Sequence, residues 1–299
     1  MRPFALVILA GLAVPQQAAF RSEIALVRVD VEVMHNGHPL EALTREDFEI
    51  TDNGERREIV HFGYREEPLD LVLLFDTSLS MKPAVERIAQ TGRAALGELR
   101  SGDRVAVMAF SNGTDLILDF TEDFDTVDGA VRRVLQRPFI RSSELQGGID
   151  DAAQHFLKQP RSNRRRAILA ITDGLGNGRA RDAVKNLWEA DAVVAGMLVR
   201  NAGMTVIFRT VRPDSMFSGG MGGIAHNTGG DDVKFKDAAE GLCEMVRRLR
   251  LRYSLAYAMP SGKPGEQREI RVRLAPGVAT RYPNAQLRAR TGYIVPAAR

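Results

Sequence analysis

The sequence predicts an α/β protein, with a doubly wound, mostly parallel sheet flanked by helices on both faces and a small β-sandwich made from its two ends. Three observations predict it. Short apolar runs at residues 71–75, 105–110, 167–172 and 193–199 alternate with amphipathic stretches, the pattern of buried parallel strands and crossover helices. Residues 20–65 and 253–290 instead show period-two alternation broken by turn signals. Acidic loops directly follow two of the apolar runs, Asp76 after the first and Asp173 after the third. In an open parallel sheet the carboxyl ends of strands meet at one edge, where ligands bind.

The amino end has Arg2, an apolar run over residues 4–14, then Pro15 and small or polar residues to Ala19. That plan predicts a secretory signal peptide over residues 1–19, with a secreted or periplasmic destination and no membrane span after cleavage. No Cys follows it, which argues against a lipid anchor. The amino-terminal flank, residues 20–66, reads as strands. Residues 24–33 alternate apolar and polar side chains, Asn36-Gly37 forms a turn, and Thr44 caps a short helical turn over 45–47. Residues 48–51 make another strand before the Asn53-Gly54 turn, and Pro68 marks the change of pattern.

Residues 67–252 form the predicted α/β domain. Strand 69–75 is followed by Met81, Val85, Ile88, Ala89, Leu96 and Leu99 at helical spacing, with Pro83 in the tolerated first turn. Strand 105–110 turns at Asn112-Gly113 into a hairpin partner at 116–118. Helices follow at 125–135 and 145–157, then strand 167–172, helix 180–190 and strand 193–199. Residues 219–223, rich in Gly, read as a flexible loop before a short helix, strand 233–235 and helix 237–251. The carboxyl-terminal flank, residues 253–299, alternates at 253–257, 269–274 and 287–290. Neither flank has enough strands to bury a face, so the two are expected to pack together as a sandwich of six or seven.

The chemistry sits in Asp76-Thr77-Ser78-Leu79-Ser80. D-x-S-x-S at a strand end gathers one carboxylate and two hydroxyls in a tight loop. Such hard oxygen ligands suit Mg²⁺, or Ca²⁺ or Mn²⁺, and neither zinc nor copper. The plain alternative is that Asp76 and Ser80 cap the helix starting near Met81.

The pentad, together with Thr172-Asp173-Gly174, resembles the von Willebrand factor type A domains over roughly residues 68–250. Their metal-ion-dependent adhesion site uses D-x-S-x-S, a Thr from a middle loop, and an Asp in a T-D-G turn. Ser143-Glu144-Leu145-Gln146-Gly147-Gly148-Ile149 matches the middle loop with Ser for Thr, which keeps the hydroxyl but loses the methyl that stiffens the rotamer. Ser142 can take the same role. Both flanks are similar to those of a secreted bacterial subgroup labelled VWFA-related, through Leu43-Thr44-Arg45-Glu46-Asp47-Phe48 and Leu287-Arg288-Ala289-Arg290-Thr291-Gly292-Tyr293. The resemblance implies a metal site of Asp76, Ser78, Ser80, Ser143 and Asp173. It also implies a protein or peptide partner whose exposed Asp or Glu completes the metal's shell. The competing function is a structural or scaffold protein with a degenerate site.

A Mg²⁺-dependent hydrolase fits less well. A phosphatase built on D-x-D needs a second Asp as acid and base, and Ser78 occupies that position. Neither a G-x-x-x-x-G-K-[ST] loop nor G-x-S-x-G occurs, and the five histidines lack paired metal spacing, so no catalytic residue is assigned. Net charge is +3, with signs alternating along most of the chain. The basic clusters Arg164-Arg165-Arg166 and Arg247-Arg248 with Arg250 and Arg252 carry no nucleic-acid reading motif and are expected on solvated faces. A single Cys, Cys243, forms no internal disulfide and reads as a small core residue.

Overall fold

In a computed structural model, which describes residues 25–160, 162–174, 180–199 and 220–297, the chain builds three sheets. The amino-terminal strands are β1 (Leu26–His35), β2 (His38–Pro39), β3 (Phe48–Asp52), β4 (Glu55–Arg57) and β5 (Ile59–Tyr64). The central segment opens with β6 (Leu69–Asp76), α1 (Lys82–Thr91), α2 (Arg93–Leu96), β7 (Arg104–Phe110), β8 (Thr114–Thr121), α3 (Phe124–Val134), α4 (Leu145–Lys158) and β9 (Arg165–Thr172). It continues with α5 (Ala180–Glu189), β10 (Ala192–Val199), α6 (Met221–Thr228), β11 (Asp232–Phe235) and α7 (Ala238–Arg250). The tail adds β12 (Tyr253–Ala258), β13 (Gln267–Leu274), α8 (Pro276–Arg281), β14 (Gln286–Arg288) and β15 (Gly292–Ile294). The expected signal peptide and Gly219 lie outside the described residues.

The central sheet has the order β11-β10-β9-β6-β7-β8. Its pairs are parallel except β7 with β8, the hairpin that Asn112-Gly113 announces. Every residue of β6 is buried, because helices cover both faces of the sheet. The period of two sorts the side chains. Leu69, Leu71, Leu73 and Phe75 face the layer of α1, α3 and α7. Val72 and Leu74 face α4, α5 and α6. The helical repeat from Met81 to Leu99 is divided between α1 and α2 at Gly92. Met221, Gly222 and Gly223, expected in a flexible loop, instead open α6. Helix α8 was not anticipated; Pro276 lies in its first turn, where a missing N–H costs nothing.

The flanks interleave. One sheet runs β14-β1-β12-β5, with β2 on β1, and the other runs β15-β13-β3-β4. β1 pairs with β12 from Leu26↔Ala258 to Val31↔Tyr253, and β13 pairs with β3 from Ile270↔Asp52 to Leu274↔Phe48. Val27, Val29, Val31 and Val33 share a core with Ile50, Leu255, Tyr257, Ile270 and Tyr293. Asp52 is buried inside this sandwich, where it accepts hydrogen bonds from Tyr257 (2.8 Å), Tyr293 (2.9 Å) and Arg268 (2.7 Å).

Apart from exposed Arg247 and half-buried Arg164, the arginine clusters are not solvated. Arg165, Arg166, Arg248, Arg250 and Arg252 are all buried. The alternation in β1 explains why. With its valines turned into the sandwich, Arg28, Asp30 and Glu32 point the other way, onto the α/β unit rather than into water. Arg165 Nε donates to Asp30 (3.0 Å), and its other nitrogens donate to the backbone oxygens of Leu249 and Arg250 at the end of α7. Arg248 forks onto Glu32 (2.8 and 3.1 Å) and also reaches Asp231 (2.9 Å). Arg250 pairs with Asp103 (3.0 Å), and Arg252 donates to the Gly229 carbonyl (2.5 Å). Sequence periodicity marks a polar face but does not say whether water or a second layer covers it.

Candidate metal centre

Asp76 ends β6, and Asp173 follows β9, its parallel neighbour, so both carboxylates emerge at one sheet edge. The loop after β6 is held on both sides. Thr77 N and Oγ1 both donate to the Phe110 carbonyl (2.8 and 2.9 Å), and Leu79 N donates to Ile140 (2.9 Å). Gly174 has φ +81°, a left-handed turn that glycine adopts without Cβ strain, and its N–H donates to Thr172 Oγ1 (3.1 Å).

All five predicted residues come together. Asp76 Oδ1 accepts from Ser78 N (2.8 Å), and Oδ2 accepts from Ser143 Oγ (3.0 Å) and Thr172 Oγ1 (2.8 Å). Ser78 Oγ and Ser80 Oγ are 3.2 Å apart, and Ser80 Oγ donates to Asp173 Oδ2 (2.5 Å). Ser143, not Ser142, carries the hydroxyl that reaches Asp76. Ser80, Ser143 and Asp173 are half-buried, whereas Asp76 and Thr172 are fully buried, so the cluster has a closed floor and an open rim. Exposed Leu79 stands on that rim.

Burial pushes the Asp76 carboxyl above its ordinary value, against hydrogen bonds from Ser78, Thr172 and Ser143 that favour the charged form. Its three partners are neutral donors, so among the described residues this desolvated carboxylate is not paired with a cationic side chain. Among the described residues no group of three or more His, Cys, Asp or Glu has metal-holding geometry. The donor set here has only two carboxylates, with serine hydroxyls as the remaining oxygens. Such a set fits a hard divalent cation and lacks the nitrogen or sulfur that would favour zinc.

Thr172 is the residue that sequence reasoning passed over. The sequence shows it only as part of the T-D-G turn, yet it donates to Asp76 Oδ2 from the buried floor of the cluster. Its position as the last residue of β9 was the available signal. Gly147 and Gly148 of the middle-loop motif lie inside α4 rather than in a loop. A Cβ on Gly148 would come within 2.7 Å of the Phe110 ring, so this glycine serves close helix–strand packing.

Residues 71–175 match the family model of the von Willebrand factor type A domain. The chain carries a VWA domain. Among similar solved structures, proximal thread matrix protein 1 from the mussel byssus is 14% identical, with a TM-score of 0.50 over 67% of this chain and 51% of that one. BatB from Bacteroides thetaiotaomicron is 18% identical, with a TM-score of 0.49 over 60% of this chain and 97% of that one. A von Willebrand factor type A protein from Catenulispora acidiphila is 13% identical, with a TM-score of 0.47 over 93% of this chain and 76% of that one. These likenesses concern the fold. No curated protein matches the sequence significantly.

Proposed function

We propose that the protein is a non-catalytic binding module of the metal-ion-dependent adhesion type. The observation that carries the reading is the convergence of Asp76, Ser78, Ser80, Ser143 and Asp173 into one hydrogen-bonded oxygen cluster at the open edge of the VWA sheet. Ser78, Ser80 and Ser143 would hold Mg²⁺, Ca²⁺ or Mn²⁺ directly, with Asp76 and Asp173 direct or through water. When bound, the cation would supply a Lewis-acidic centre whose shell an outside Asp or Glu can complete. Thr172 and the Ser78 N–H hold Asp76 in place, and Leu79 offers an apolar contact at the rim to the partner chain that brings the acid. No side chain here is set up as a proton relay, since Ser78 occupies the position a D-x-D enzyme gives to its second acid.

The division that goes with this reading is a binding domain over residues 67–252, supported by flanks 20–66 and 253–299. Export to the periplasm or beyond, in the manner of the secreted bacterial subgroup, rests on the plan of residues 1–19. Among the described residues, no helix is long and apolar enough to cross a membrane.

Calorimetric titration of Mg²⁺, Ca²⁺ and Mn²⁺ into the full chain and into Asp76→Ala tests the site. Saturable binding by the parent and none by the folded variant is expected. A parent chain that takes up no divalent ion would falsify the reading. Uptake together with partner capture that ignores EDTA would favour the scaffold role, with the β flanks making the contacts.

A further inference from the structure

Opposite the metal centre, where the amino ends of β9 and β10 meet the outer face of β1 and β12, the surface closes into a recess of about 150 Å³. Five arginines and three carboxylates line it, so the lining side chains carry a net charge of +2. Most of these arginines are occupied. All the nitrogens of Arg165 are spent on Asp30, Leu249 and Arg250, Arg164 reaches Asp70 and the Gly102 carbonyl, and Arg290 is paired with Asp191. Arg28 is different. It is half-buried on the wall of the recess and has no hydrogen bond or ion pair among the described residues. Ser254, on the neighbouring strand and only 2% exposed, also lines the recess. A half-buried guanidinium on the wall of a recess, with no protein partner, has its N–H donors available to a ligand.

We propose that this recess is a binding site for a small phosphate-class dianion, with Arg28 as its guanidinium fork and Ser254 as its hydroxyl donor. The charge supports a dianion over a monoanion, since the lining side chains carry a surplus of two. The fork supports a tetrahedral oxyanion, because a guanidinium offers two parallel N–H donors to two oxygens of one group. The size excludes a nucleotide or a polymer and accommodates phosphate or a short phosphomonoester. Bound there, the anion would touch β1 and β12 of the sandwich and the strand ends of the VWA sheet together. It would therefore hold the two units against each other.

The test uses the full chain at fixed ionic strength, with inorganic phosphate and glycerol phosphate as probes and chloride and acetate as controls, read by calorimetry and thermal unfolding. Saturable binding of phosphate, glycerol phosphate or both, with a raised unfolding temperature, is expected. Preference between the two probes distinguishes the free ion from a phosphomonoester. Arg28→Ala should weaken binding about tenfold or more while leaving the unliganded unfolding temperature within a degree or two of the parent, because Arg28 has no partner to lose. Ser254→Ala provides a second variant, expected to weaken binding several-fold. EDTA should change nothing. An equal response to acetate, affinity unchanged in both variants, or a phosphate signal that EDTA abolishes each overturns the proposal, the last by moving the anion to the metal centre.

Discussion

Removing the Glu32 carboxylate should loosen the sandwich from the VWA domain. Glu32 lies on the outward face of β1, with its side chain 4% exposed, and receives both fork nitrogens of Arg248, itself 7% exposed. Arg288 approaches the same carboxylate at 3.4 Å, and Arg252, fully enclosed, depends on Glu32 and Asp30 for its compensation. Glu32→Ala would leave three arginines around a void. Breaking a buried pair from one side costs about 3–5 kcal/mol. In a protein of this size each kcal/mol lowers the midpoint by about 2–4 °C, so the expected fall is roughly 6–20 °C. Glu55→Ala is the control, because its pair with Arg57 is at the surface with Glu55 73% exposed, and such pairs contribute at most about 1 kcal/mol. Differential scanning calorimetry would compare the two. Equal, small losses would show that the buried arginine seam does not hold the two units together.

The same carboxylate gives a pH signature. Burial pushes Glu32 up, but the charges of Arg252, Arg248 and Arg288 and the Arg248 hydrogen bonds outweigh it and hold the carboxyl below its ordinary 4.5. A depressed folded value gives stability that is complete above 4.5 and lost as pH falls through the folded value, so thermal melts below pH 4.5 should destabilise the parent more steeply than Glu32→Gln. Ser143→Ala should weaken divalent-ion affinity by about tenfold and partner binding by the same factor, since Ser143 already sits on Asp76 without a partner; Ser143→Thr should preserve both in parallel titrations. Thr172→Val keeps the shape of the β9 terminus but strips a donor from buried Asp76. Denaturant unfolding should show a loss of about 1–3 kcal/mol, and no loss would mean the hydroxyl is dispensable.

The α/β core was readable because its strands are continuous apolar runs and its helices repeat at helical spacing. Both signals are local. The D-x-S-x-S and T-D-G loops were readable for the same reason: each is a short pattern at the end of such a run. The Ser142 or Ser143 choice was not, because both hydroxyls are adjacent in sequence and only the entry geometry of α4 separates them. The role of Gly148 was not legible, because the reason for a glycine there lies in the Phe110 ring that packs against α4. The arginine seam was misread because alternation in residues 26–33 gives one apolar and one polar face whether the polar face meets water or a second layer. A run such as Arg248, Arg250 and Arg252 at and just past the end of a helix looks solvated until its partners Glu32, Asp30 and Asp103 arrive from distant parts of the chain.

The parallel sheet separates the two jobs of this molecule by its own length. Strands of about eight residues rise about 26 Å, so the arginine seam at their amino ends and the oxygen cluster at their carboxyl ends stand roughly that far apart. Over that span lie fully buried strands, β6, β9 and β10, packed on both faces. The flanks can therefore clamp one edge with buried ion pairs without covering the other. Docking at the opposite edge would have placed Glu32 and Asp30 beside Asp76, where added carboxylates compete for any cation and the rim at Leu79 would be closed. With the sandwich attached at the strand starts, the carboxylates of the seam are neutralised by arginine, while Asp76 at the loop edge is held by Ser143, Thr172 and the Ser78 N–H. The contrast in partners, guanidinium around Glu32 and neutral donors around Asp76, is what the proposed cation site at the loop edge requires.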